Sequence, residues 1–219
     1  MTPDYEKAAT NAVETLIKHN ITSSPISPLP ILKNTPNVLA VNFSDIGFFL
    51  GKERRHMISM FGDHNQDAVT FVDIVNDKKH YIVTYNQQLP YALIQRSLAR
   101  ELAHIILGHD GSLPEEIRNE EARCFAHHLI CPRPLIHLVQ ASNIRMTVEV
   151  LGNLTGCYDR CIASMRRLPA AHVPADLNRK LAEMFHKYFS NFFEFQRVLA
   201  LDDGSALADI GSYMEGYEE

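Results

Sequence analysis

Arg100-Glu101-Leu102-Ala103-His104 sets a carboxylate and an imidazole three residues apart, with a guanidinium directly before them. On a helix, residues at that spacing share a face. With Ser97 at zero on a wheel of 100° per residue, Arg100, Glu101 and His104 fall near about 300°, 40° and 340°. Ile94, Leu98, Leu102 and Ile105 fall between about 60° and 140° and form the expected core stripe. A polar cluster on the shoulder of such a stripe is placed to line a cleft. A carboxylate and an imidazole held there can transfer protons. The same residues can equally form a hydrogen-bonded network that ties two helices together.

A second helix is expected over 113–130. Ser112, Pro114 and Glu115 are start signals. With Glu121 at zero, Ala122, Phe125, Ala126 and Leu129 lie within about 40–140°, so Glu121 borders an apolar stripe. His128 lies within about 20° of Glu121, whereas Glu120 and His127 point away from the core toward solvent. His109 is about 140° from His104 on a continuous helix, too far to share its face. It reaches the cluster only if Gly108 ends the helix and turns the chain back.

The elements that must position these groups follow from periodicity. Apolar residues Ala8, Ala12, Val13, Leu16 and Ile17 predict a helix over 4–19. Residues 21–36 hold four prolines and read as an extended connector with a short helical turn at Ile31 and Leu32. The segments 38–43, 68–75 and 80–85 are rich in Val, Ile, Phe, Tyr and Thr and predict strands. Asn76-Asp77-Lys78-Lys79 joins the last two as a hairpin. Residues 44–66 read as loop with one more strand near Met57–Phe61. From Pro90 the chain reads helical, at 91–107, 113–130, 133–141, 146–153, 158–167 and 175–200. The expected class is α+β, with a small antiparallel sheet packed on the helices that carry the cluster, then an all-helical C-terminal region. Residues 1–130 form the first part, 131–201 a helical region and 202–219 an acidic tail.

The run ELAHIILGH, followed by EEARCFAHHLICP, resembles the ImmA/IrrE family of zinc metallo-endopeptidase domains. That family typically reads HELGHxxLGH, then ExxANxFAxxLLMP. Asn86 after YIVTY, Leu107-Gly108-His109, Glu121-Ala122, Phe125-Ala126 and Leu129-Ile130-Cys131-Pro132 follow in the family's order, and the resemblance covers roughly 35–170. It implies a zincin-like fold. It also implies a Zn²⁺ site in which two His at i and i+4 bind the metal and the Glu between them activates its water. Carried over, Glu101 is the catalytic base, and His104 and Glu121 are metal ligands. The first His position is held by Arg100, which has no lone pair for a metal. Two protein ligands hold zinc poorly, so His109 or His128 would have to complete the set. Glu101 could also ligate beside His104.

By the same resemblance the protein would act on a helix-turn-helix repressor or similar regulator of a mobile element. The alternative is a non-catalytic, metal-free member that binds such a regulator. Residues 144–168 resemble the helix-turn-helix-like region that follows in the family. Arg160, Arg166 and Arg167 give that region only a small basic patch, so direct nucleic-acid binding is not expected. The aromatic-rich segment 181–199 reads as a core helix, with an oligomer contact as the alternative.

Composition agrees with a folded domain. The 219 residues are 46% apolar and 21% charged. The net charge of −5 is concentrated at the end, where residues 202–219 carry six acids and no Lys or Arg. No run suggests a membrane span or an export signal, so the cytoplasm is expected. The four cysteines, Cys124, Cys131, Cys157 and Cys161, then read as small buried hydrophobes rather than disulfides.

Overall fold

The structure is a computed structural model that describes residues 1–49, 67–141, 145, 147–157 and 170–186. The chain divides into two compact units, Ser27–Ala122 and a second built from Met1–Ile26 with Arg123–Glu219.

The unit Ser27–Ala122 holds the sheet. Its elements are α2 (Pro28–Lys33), β1 (Val38–Asn42), α3 (Phe43–Phe49), β2 (Ala68–Val75), β3 (Lys78–Tyr85) and α4 (Tyr91–Ile106). The first eight residues of α5 (Glu115–Ile130) also belong to it. The class is α+β, as the sequence implies. The sheet, however, is mixed rather than antiparallel. Among the described residues its order is β1-β3-β2, with β1 parallel to β3 in the register Val38↔Tyr81 to Asn42↔Tyr85. A parallel pair needs a long connection, and the chain from Phe43 to Asp77, which contains α3 and β2, supplies it.

β2 and β3 form the expected hairpin, closing at Val75↔Lys78. Asn76 and Asp77 at its tip have φ of 51° and 58°. Two left-handed central residues match the right-handed twist of the flanking strands, and Asn and Asp tolerate that conformation better than other side chains.

α4 packs on β2, β3 and α2. Its buried residues are Ala92, Gln95, Leu98, Ala99, Leu102 and Ala103. Ile94 and Ile105 are only half-buried. The buried arc is thus rotated toward the alanines relative to the stripe expected from the large aliphatics. Small side chains let the helix lie close to its neighbours, and this turns Ser97, Glu101 and His104 away from the core.

The other unit is helical. Asp4 caps α1 (Tyr5–Lys18) by accepting a hydrogen bond from the Lys7 N–H at 2.9 Å. Ala8, Ala9, Ala12, Val13 and Leu16 are its buried face. The end of α5, then α6 (Arg133–Ala141), α7 (Val148–Thr155) and a helix over 175–186 complete the unit. Phe125, Leu129, Leu135, Val139, Leu154, Leu181 and Phe185 are buried here. Phe185 is the one residue of the expected aromatic set that is described, and it is core. Cys124, Cys131 and Cys157 are free thiols. Cys161, the strand expected near Met57–Phe61, most of the helix-turn-helix-like segment and the acidic tail lie outside the described residues. No described helix is long and apolar enough to cross a membrane.

Candidate functional site

Glu101 and His104 project from α4 into a cleft of about 450 Å³. β2 supplies Thr70 and Val72 to its wall, β3 supplies Tyr81, and α5 supplies Arg118 and Asn119. Arg100, Ile105 and His109 line it as well. Ile105 is therefore a cleft residue rather than core.

The Thr70 hydroxyl donates to Glu101 Oε2 at 2.6 Å. Burial nevertheless raises the Glu101 pKa above the usual carboxylate range, against the opposing pull of Thr70 and of the Arg100 charge. His104 is pushed down to about 4, first by burial and then by His109, Arg100 and Arg118. At neutral pH it is an uncharged imidazole.

His109 is drawn into the site by the way α4 ends. Gly108 takes φ 69°. Its N–H bonds to Ile105 O at 3.2 Å, and the His109 N–H reaches back to His104 O at 3.0 Å. This is a Schellman motif, which closes the last turn and brings the residue after the glycine beside the residue five before it. The two imidazoles then meet, with His104 Nδ1 and His109 Nδ1 2.8 Å apart. On its far side, His109 Nε2 lies 2.9 Å from Glu121 Oε2 on α5. The carboxylate can only accept, so His109 Nε2 carries the proton. Both side chains are nearly inaccessible, at 2% for His109 and 9% for Glu121. His104, His109 and Glu121 thus form a line with His109 in the middle. Arg100 Nη2 donates to Asn119 Oδ1 at 3.4 Å, a second link from α4 to α5.

His128 is not part of this group. Its angle on α5 matches that of Glu121, but seven residues of helical rise separate them by about 10 Å. It is buried with its ring edge-on to His127. His127 is not solvated as expected, because its Nδ1 is buried.

Gly108 has a stability consequence. A Cβ there would meet nothing within 4 Å. The cost of Gly108→Ala is therefore that of the left-handed backbone alone, about 1 kcal/mol. Thermal melts of the two proteins check this, and an unchanged midpoint would show that the turn is not held in this conformation.

Residues 56–155 match the family model of the IrrE N-terminal-like domain, a peptidase M78 family. Over that span the chain is similar to ImmA/IrrE family domains. No curated protein and no solved structure matches the chain. The matched span contains every described residue that lines the cleft. The similarity to a peptidase family raises the question of whether the cleft residues suit a zinc ion.

Their chemistry does not fit one. A catalytic zinc of this type needs three protein donors that converge and leave a fourth position open. Among the described residues no three His, Cys, Asp or Glu side chains converge in that way. Arg100 stands where the resemblance puts the first His and brings a fixed positive charge. The donors that remain are bonded to each other in series. His109 was legible as a site residue from one signal, the helix followed by Leu-Gly-His, because a C-terminal glycine brings the next residue back over the last turn.

Proposed function

We propose that this IrrE-like domain acts without a metal and binds an extended segment of a regulatory protein in its cleft. One observation carries this reading: the donors His104, His109 and Glu121 satisfy one another in line, next to a guanidinium at the first ligand position. β2 offers the docking edge. It is an outer strand of the described sheet, and Val72 and Ile74 on it are 55% and 68% exposed. A segment adding to that edge would gain main-chain hydrogen bonds and set side chains against Val72 and Tyr81. By family resemblance the partner is a helix-turn-helix repressor or similar regulator of a mobile element, met in the cytoplasm.

The second reading, a zinc endopeptidase for the same partner, is favoured by Glu101. It sits in the cleft with a raised pKa, as a general base working near neutral pH requires. Elemental analysis of the purified protein separates the two readings. It is combined with calorimetric titration of a helix-turn-helix repressor and mass spectrometry of the mixture. The binding reading expects far less than one zinc per chain, partner binding indifferent to chelator, and an intact partner. One zinc per chain, with cleavage lost in Glu101→Gln, would establish the peptidase instead.

A further inference from the structure

We infer that His109 is a built-in substitute for the metal: its ring joins His104 to Glu121 and closes the site without an ion. The inference rests on the metal-independent reading above. It assigns a structural task to a residue that lies outside the helix pair and is brought in by the turn at Gly108.

The geometry has three parts. The Schellman turn fixes the His109 backbone against His104 O, so the imidazole enters at a set position. Its two nitrogens meet two different partners on opposite sides, His104 Nδ1 at 2.8 Å and Glu121 Oε2 at 2.9 Å. His109 and Glu121 are shielded from water, so the hydrogen bond between them is costly to leave unmade. A zinc ion that takes Glu121 Oε2 must therefore first displace His109 Nε2 and leave a buried N–H without its acceptor. His109 and a metal are competitors for that carboxylate oxygen.

Competition gives an unusual sign. Arg100→His restores a His pair at i and i+4 on α4 and should give measurable zinc affinity. Removing His109 as well should then tighten zinc binding, because Glu121 is released. The expected gain of Arg100→His/His109→Ala over Arg100→His alone is about ten-fold or more, the scale of one buried hydrogen bond to a charged group. Zinc titration against a competing chelator dye measures it, with circular dichroism as the check on folding. Equal affinity would overturn the inference. Weaker binding by the double variant would overturn it too, since His109 would then be a ligand, and so would absence of binding by both.

Stoichiometric zinc in the unaltered protein is a separate outcome that removes the metal-independent reading first, before any variant is made. His109→Phe supplies a second measurement that does not depend on the double variant folding. It keeps an aromatic ring and removes both nitrogens. Its melting temperature should fall by about 5 °C, in chelator as well as in zinc. An unchanged melting temperature would mean that His109 fills space and closes nothing.

Discussion

Lowering the pH from 7 to 4 is expected to cost the protein on the order of 5 kcal/mol of folding stability. The sources are two histidines on α5 together with His104, which burial also holds down to about 4. Burial pushes the His128 pKa down to about 3, helped by His127 and Arg133. Burial and Arg133 push His127 down to about 4. In the unfolded chain all three imidazoles bind protons near pH 6.5. Below that pH the unfolded state binds more protons than the folded one, and stability falls as pH falls, by up to about 1.4 kcal/mol per pH unit for each group. His128 is the more deeply buried residue and is pushed further down, so its share is the larger.

Glu101 works in the opposite direction. Its folded pKa is raised, so it stabilises at low pH and loses that contribution as pH rises. One carboxyl cannot offset three buried imidazoles. On the alkaline side, burial pushes the Cys131 thiol up to about 12, so stability should decline again above pH 9. Urea unfolding at pH 7, 6, 5 and 4 measures the acid limb. His128→Leu should flatten it by about a third. A limb as steep in the variant as in the parent would mean that carboxylates, not this histidine, govern acid unfolding.

Local patterning made most elements readable. The hairpin was legible because Asn76-Asp77 separates two β-branched runs, and α4 because its period is strong. What escaped depended on contacts distant in sequence. The direction of β1 is a pairing choice that strand propensity does not encode. The buried face of α4 does not follow from its large aliphatics, because close approach favours the small residues Ala92, Ala99 and Ala103. α3 escaped because Phe43–Phe49 has both strand-forming and helix-forming residues and too few of them to show a period.

The site was legible as a set of residue types and only partly as an arrangement. Glu101, His104 and Glu121 follow from helical geometry and from the resemblance. A wheel gives angle without rise, and for that reason His128 looked eligible beside Glu121. A wheel also stops at the end of its helix. His109 lies beyond that end, and only the conformation of Gly108 decides where it goes.

Arg100→Ala is expected to destabilise the fold by about 1–3 kcal/mol, in chelator as well as without it. The two carboxylates nearest this part of the site do not share a proton, because each has its own donor, Thr70 for Glu101 and His109 for Glu121. What Arg100 supplies is a fixed positive charge that lowers the pKa of Glu101 and a hydrogen bond to Asn119 on α5. Without that charge the Glu101 pKa rises further, and keeping the carboxylate ionised in its buried position becomes more costly. The penalty should therefore be larger at pH 8, where Glu101 would be ionised in the unfolded chain, than at pH 5, where it is closer to neutral in both states. Arg100→Met separates charge from packing, because it keeps most of the aliphatic stem and removes the guanidinium. If the charge is what matters, Met should be about as destabilising as Ala at pH 8 and should recover at pH 5. Denaturant melts of the three proteins at both pH values read this out. Equal penalties at the two pH values would assign Arg100 to the link with Asn119 alone, and a penalty that appears only when chelator is added would show that a bound metal had been supporting the site in its place.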